Sequence, residues 1–208
     1  MYKLPHFTET KQSYILDFIK SQSFVTLIGN DGFNSVATQV PVLLYEAEGQ
    51  LKLRGHIMRK TDHHLAFLKN NDVLVLFTGP HCYVSASWYS ERGIGGTWNY
   101  MTVHARGKMQ LFDDEETIEI LTALTHKYED KQARPELLEN MTDAYVNGNV
   151  KAITGFEIVI ENIHPIFKLS QNRDDESYKS IVEELNKDED HDAHLIAEEM
   201  VKRRPQLF

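Results

Sequence analysis

The chain has 208 residues, with 31 acidic and 22 basic side chains and a formal net charge of −9. Hydrophobic residues make up 41% and charged residues 25%, which is ordinary globular usage and argues against a wholly disordered chain. The chain has a single cysteine, Cys82, and therefore cannot form an internal disulfide. It contains no run of about 18 apolar residues, so no transmembrane helix is predicted. We therefore expect a cytoplasmic protein with no membrane partner, and its acidity argues against broad DNA binding.

The first third of the chain has the pattern of two helices and three strands. Apolar spacing predicts a helix at 9–21 and a short helix at 63–69. Between them, apolar spacing and turn residues predict strands at 23–28, 34–45 and 50–57. Asp31-Gly32 predicts a hairpin turn between the first two strands. Pro41 predicts an edge strand or a bulge within the second.

The remainder of the chain contains further strands, between which helices are inserted without regular alternation. A buried strand is predicted over 72–77, interrupted at Gly79-Pro80 and resumed at 83–85, and a glycine-rich loop follows at 90–96. The later predictions are a strand at 97–112, a helix at 114–130, a helical piece ending near 146, and extended segments at 152–162 and 164–170. Adjacent strands at hairpin spacing favour an antiparallel sheet or barrel over a doubly wound parallel sheet.

The domain organisation follows from these elements. We predict one domain over 1–173, with inserted helices at about 114–147, and a charged, helical C-terminal tail over 174–208.

A cluster of basic and hydroxyl side chains stands where a strand gives way to a short helix. It contains Arg54, His56, Arg59, Lys60 and Thr61. Cations and free N–H groups at a helix N-terminus form a good phosphate site, although a solvated basic loop would have the same composition. A zinc site on the histidines of residues 56–64 is disfavoured, because no carboxylate or cysteine stands at zinc-motif spacing.

Three further clusters carry aromatic or polar side chains. Both tryptophans fall in the first two, Tyr83–Tyr89 and Thr97–Tyr100, and the third, Lys168–Arg173, packs five polar side chains into six residues. Aromatic faces with hydrogen-bonding neighbours suit a planar heteroaromatic ligand, but the same residues could form core, subunit interface or an exposed loop. No nucleotide-triphosphate loop, dinucleotide fingerprint or Gly-x-Ser-x-Gly elbow is present.

Taken together, the clusters resemble the PaiB family of FMN-binding negative transcriptional regulators. The resemblance runs over residues 1–175 and rests on Met1-Tyr2, Pro5-His6-Phe7, Leu53-Arg54-Gly55-His56, Gly79-Pro80-His81-Cys82-Tyr83-Val84-Ser85, Ser87-Trp88-Tyr89, Thr97-Trp98-Asn99-Tyr100, Val103-His104 and Lys168-Leu169-Ser170-Gln171-Asn172-Arg173. Ala86 and Gly96 stand where the family usually has proline, which affects the expected loop conformation more than the flavin site.

The resemblance implies a mainly β, α+β fold, namely an antiparallel split β-barrel of the FMN-binding type with peripheral helices. Members of this kind form homodimers with two FMN sites at the subunit interface. By this likeness, His56, Arg59, Lys60 and Thr61 would hold the phosphate, with Arg54 in the same cluster. The other implied cofactor-binding residues are Gln39, Val40, Trp88, Trp98, Asn99, Tyr100, Ser170, Gln171, Asn172 and Arg173.

Two functions follow from the resemblance, and one alternative stays open. The chain is expected to be an FMN-dependent oxidoreductase or a flavin-linked transcriptional regulator, with no catalytic side chain and no metal ligand identified. The flavin would carry the redox chemistry. The alternative is an interaction module that binds DNA or a protein partner without flavin, although no convincing helix-turn-helix is present.

Overall fold

The computed structural model describes residues 4–208, so the Met1-Tyr2 motif lies outside the described residues. Its strands are β1 (Phe24–Asn30), β2 (Ser35–Pro41), β3 (Leu43–Ala47), β4 (Gln50–Met58), β5 (Asp72–Val84), β6 (Thr97–Leu111) and β7 (Ile153–Lys168). Its helices are α1 (Gln12–Ser21), α2 (Asp62–Lys69), α3 (Asp114–Glu129), α4 (Asp143–Val150), α5 (Asp175–Leu185) and α6 (His191–Arg203). No helix among these residues has the length and apolarity needed to cross a membrane.

The strands form one sheet in the order β2-β1-β5-β6-β7-β4-β3. The pairs β1–β2, β1–β5, β3–β4 and β4–β7 are antiparallel. The predicted hairpin turn joins β1 and β2, where Gly32 has a φ of +99° and the carboxylate of Asp31 accepts backbone hydrogen bonds from Phe33 and Asn34. Such a conformation favours glycine because it has no Cβ.

The chain divides into two compact units, whose boundaries fall within α1 and within the three longest strands. Unit 1 comprises residues up to Ile19, Thr78–Val103 and His164–Phe208, and unit 2 comprises Lys20–Phe77 and His104–Ile163. The sequence prediction of a boundary at residue 173 stays a prediction.

The core of unit 2 contains apolar side chains from four strands of the sheet. Leu27, Leu53, Val75, Phe156 and Ile158 are fully buried. Leu27, Leu53 and Val75 alternate along their strands with more exposed neighbours, as expected when one face of a strand packs on a core, whereas residues 154–158 of β7 are buried on both faces.

Unit 1 has a core built largely by the C-terminal helices. Tyr178, Leu185, Ile196 and Met200 are completely buried, and so is Leu169 at the end of β7. The apolar residues of α5 and α6 recur at helical spacing, so each helix buries one stripe of its surface.

Three predicted segment boundaries were wrong. Residues 34–45 form two strands at opposite ends of the sheet order, because the chain leaves β2 at Pro41 and Val42 donates its N–H to the Ser23 carbonyl at 2.9 Å. Gly79-Pro80 does not interrupt β5, and 152–170 contains one long strand, β7. Gly79 is needed for space, since a Cβ there would lie 2.5 Å from the ring of Phe18.

Candidate functional site

The connection between β4 and α2, in unit 2, has the geometry of an anion site. Lys60 has a φ of +65°, a left-handed conformation that is uncommon for residues other than glycine. The next residue, Thr61, caps α2: its hydroxyl accepts from the N–H of His64 at 3.3 Å and donates to the Met58 carbonyl at 2.9 Å. The turn therefore places a lysine immediately before a capped helix N-terminus, whose dipole favours anions.

The two cations of this connection differ in their surroundings. Arg59 is held in place, because its Nε donates to the Ile153 carbonyl and its Nη2 lies 2.8 Å from a carboxylate oxygen of Asp114. Lys60 is exposed, and its ammonium makes no ion pair within residues 4–208. Lys60 is thus the cation of the turn whose charge is available to a ligand.

The Nδ1 atom of His56, on β4, is buried and has no hydrogen-bond partner among the described residues. Burial lowers the pKa of His56, so the imidazole is neutral at pH 7. An unpaired buried nitrogen costs free energy unless a ligand or water satisfies it, so His56 fits a bound group. Across residues 4–208, no three His, Cys, Asp or Glu side chains gather as a metal site would require.

Arg54 takes part in a polar cluster that pairs β4 with β7. Its Nε donates to Glu157 at 2.9 Å, and its guanidinium lies 5.0 Å from the ring centroid of Tyr45. Glu157 also accepts hydrogen bonds from Lys52 at 3.0 Å and from the Tyr45 hydroxyl. These contacts show that Arg54 helps to hold β4 against β7. Its assignment to cofactor binding stays a prediction.

Gln39 and Val40 lie on β2 in the same unit, with Gln39 exposed and Val40 buried. The end of this strand approaches β4: a Cβ at Gly55 would lie 2.8 Å from the Pro41 carbonyl. Gly55, next to His56, is therefore required for the close approach of β2 to the candidate phosphate site.

The remaining candidate residues belong to unit 1. Asn99, on β6, is fully buried; its side-chain carbonyl accepts from the Ser170 hydroxyl at 3.0 Å, and its amide contacts the sulfur of Met200 at 3.6 Å. Ser170 is itself buried and has a left-handed φ of +58°. The structure thus brings together two of the predicted polar segments, one from β6 and one after β7.

The residues after Ser170 form a tight turn. Gln171 donates to the Phe167 carbonyl and accepts from the Leu169 N–H at 2.8 Å. The guanidinium of Arg173 lies 4.0 Å from the ring centroid of Tyr89, whereas Asn172 is exposed. A defined turn of this kind presents Asn172 to solvent and keeps the other side chains close to the protein.

The tryptophans lie in different environments of unit 1. Trp88 is half-buried in a short 3₁₀ turn, whereas Trp98 is 53% exposed, with its ring 6.0 Å from Tyr83 and 6.1 Å from His81. Beside Trp98 lies an apolar groove of about 320 Å³, which is also lined by the half-buried Tyr100. The groove can accept a flat apolar group.

Four side chains that contact these candidates carried no recognisable signal in the sequence. They are Asp114, Glu157, Met200 and Arg204. The candidate residues that they contact stand 31 to 103 residues away along the chain, and no local spacing relates them. Only the sheet register and the packing of α6 reveal these pairs.

Comparison with known proteins identifies the family of the chain. Residues 1–162 match the family described as "Putative FMN-binding domain". The chain is also 34% identical over 200 residues to Protease synthase and sporulation protein PAI 2 of Bacillus subtilis, with 96% of each chain covered. The chain belongs to the PaiB family of FMN-binding proteins. The predicted cofactor of this PaiB-family chain, FMN, is confirmed.

Solved structures confirm the split-barrel fold of the PaiB-family chain. An FAD and heme binding protein from Mycobacterium smegmatis superposes with a TM-score of 0.55 at 15% identity, covering 77% of this chain and 73% of that one. A conserved protein from Mycobacterium tuberculosis gives 0.54 at 13% identity, covering 83% and 92%. At such low identity the likeness extends to the fold alone.

Proposed function

We propose that the phosphate of FMN binds at the connection between β4 and α2 and that the bound flavin serves a redox reaction. The observation that carries the proposal is the left-handed Lys60, whose exposed side chain stands immediately before the N-terminus of α2. A phosphate dianion is stabilised there by the charge of Lys60, by the helix dipole and by the N–H groups of the first turn.

Each residue of the connection has a distinct part in this proposal. Lys60 supplies the charge-assisted contact, and Thr61 fixes the start of the helix. Arg59, held by Asp114, adds positive potential without free rotation. His56 supplies a neutral hydrogen-bonding nitrogen. When bound, FMN supplies hydride or electron transfer, while the protein contributes binding and orientation.

As the family resemblance implies, unit 1 also offers groups that can hydrogen-bond a flavin. Asn99 and the segment Ser170–Arg173 carry amide, hydroxyl and guanidinium groups that match the polar edge of a flavin ring. The exposed aromatic side chain of Trp98 supports the related proposal of a homodimer, because exposed aromatics are enriched at protein interfaces.

A flavin-linked regulatory role is the second candidate. The observation that favours it is the name of the Bacillus subtilis relative, which associates that protein with sporulation. If this candidate is correct, FMN binding changes the affinity of the chain for DNA in a mobility-shift assay at physiological salt. Oxidation of NAD(P)H by the FMN-loaded protein, with no DNA shift, would instead favour the redox reaction.

The phosphate assignment is tested with Lys60→Asn, because asparagine tolerates the left-handed backbone while removing the charge. One lost charge-assisted contact is worth about 1.5–3 kcal/mol, so we expect FMN affinity to fall about 10- to 150-fold in a fluorescence titration. Lys69→Asn, at the other end of α2, is the matched control and should bind as the wild type does. Equal affinities for wild type and Lys60→Asn would contradict the assignment.

A further inference from the structure

The C-terminal end of α6 is bonded to the polar turn that follows β7. The Arg204 guanidinium donates to the Gln171 carbonyl at 2.7 Å and to the Arg173 carbonyl at 3.2 Å. It also donates to the carboxylate of Asp175 at 2.9 Å. One side chain thus joins three points of a five-residue stretch.

The Arg204 side chain is itself held in a defined position. It is only 22% exposed, and its guanidinium lies 4.4 Å from the ring centroid of Tyr178 on α5. A guanidinium stacked on an aromatic face loses little further freedom when its N–H groups bond. Arg204 can therefore transmit the position of the helix pair to the turn.

A second contact connects α6 with the candidate residues. The amide of Asn99 donates to the sulfur of Met200, and the backbone carbonyl of Met200 accepts from the Tyr178 hydroxyl at 2.9 Å. Asn99 in turn accepts from Ser170. The same helix pair therefore supports both polar segments of unit 1.

The conformation of Ser170 needs such support. A left-handed non-glycine residue costs of the order of 1–3 kcal/mol and persists only where its surroundings fix it. Local bonds run from the Arg173 N–H to the Ser170 carbonyl, from the Leu169 N–H to the Gln171 side chain and from that side chain to the Phe167 carbonyl. The bonds from Arg204 attach this turn to the end of α6.

We infer that Arg204 is a positioning residue for cofactor binding: through the carbonyls of Gln171 and Arg173 it holds the Ser170–Arg173 turn in the conformation that contacts FMN. The inference rests on the proposed function, which assigns this turn to the flavin. It gives the C-terminal helices, which follow the residues matched by the family, a direct part in the site.

The experiment compares wild type with Arg204→Ala, Arg204→Lys and, as matched control, Lys202→Ala. Lys202 is a neighbouring cation that is 66% exposed and lies 3.7 Å from Glu199. Hydrogen exchange of the flavin-free proteins reports on the Arg173 amide, and fluorescence titration reports the dissociation constant of FMN. Thermal unfolding checks that each variant is folded.

We expect Arg204→Ala to exchange the Arg173 amide about tenfold faster and to bind FMN about tenfold more weakly, with Lys202→Ala unchanged. Arg204→Lys keeps the charge but cannot span two carbonyls and a carboxylate, so it should restore only part of both effects. It also serves as the test if the alanine variant does not fold.

Two results would overturn the inference: exchange as slow as in wild type, or fast exchange with unchanged FMN affinity. If the wild-type chain binds no FMN, the proposed function fails. In that case the claim that Arg204 holds the turn is judged on hydrogen exchange alone, so the two failures are distinguishable.

Discussion

Replacement of Glu157 by glutamine tests whether the polar cluster between β4 and β7 stabilises the protein. The Glu157 side chain is 10% exposed and accepts hydrogen bonds from Tyr45, Lys52 and Arg54. Glutamine has nearly the same size, but it removes the negative charge that compensates the two cations. The perturbation is therefore electrostatic and leaves no cavity.

The expected loss is about 2–3 kcal/mol in the free energy of unfolding. Removing one partner of a buried ion pair costs about 3–5 kcal/mol. The loss expected for Glu157→Gln is smaller than this range because the Arg54 side chain is 38% exposed. In addition, the amide oxygen of the new glutamine still accepts one hydrogen bond. For a chain of this length, the loss lowers the Tm by about 5–10 °C.

The assay is urea unfolding followed by circular dichroism, with Glu161→Gln at an exposed position of β7 as control. Burial alone would raise the pKa of Glu157, but the hydrogen bonds from Tyr45, Lys52 and Arg54 outweigh it and lower the pKa. The stabilisation is therefore complete above the ordinary pKa of 4.5 and is lost as the pH falls through the lowered pKa. A variant as stable as wild type at pH 7, or a difference that does not shrink as the pH falls below 4.5, would refute the reasoning.

Three further predictions follow from single contacts. Gly107→Ala should cost about 3 kcal/mol in urea unfolding, because its Cβ would collide with a backbone carbonyl of β7. Hydrogen bonds with Glu139 and Asp130 raise the pKa of His126, so an NMR titration should place it above 6.5; the stabilisation is complete below that value and is lost as pH rises through the raised pKa. Burial raises the pKa of the Cys82 thiol to about 12, so a disulfide reagent at pH 8 should leave the folded protein unmodified.

Each of these predictions has a matched control. Gly148→Ala, in a helix where a Cβ meets nothing within 4 Å, should not destabilise the protein. Glu139→Gln should bring the pKa of His126 down towards its ordinary value. The thiol should react completely once the protein is unfolded in guanidinium. An unaffected Gly107→Ala variant, an unshifted His126 or a reactive native thiol would contradict the corresponding prediction.

Local sequence pattern was sufficient for most of the fold. The apolar spacing of α1 and α3 and the turn residues at Asp31-Gly32 are short-range signals, and the structure confirms them. Gly79-Pro80 was wrongly predicted to interrupt a strand, because the glycine is required by the ring of Phe18, which stands 61 residues earlier in the chain. A residue chosen for a distant neighbour cannot be interpreted from its flanks.

The candidate site likewise contains residues that local sequence indicates and residues that depend on contacts between distant parts of the chain. The basic connection at Arg59–Thr61 is contiguous, so its composition alone indicated an anion site. The pairing of Asn99 with Ser170 depends on two strand ends that are 71 residues apart along the chain. The contribution of Arg204 depends on how α6 packs, which no motif within residues 168–173 encodes.

The short link at Val42 determines where chain length can vary. Laid flat, the six strand spacings between β2 and β3 would span about 29 Å, whereas the two Cα steps from Pro41 to Leu43 reach only about 7.6 Å. The link therefore keeps the curved sheet closed at this point. Insertions and deletions should be selected against between Pro41 and Leu43, and tolerated in the exposed turn at Asp31–Asn34.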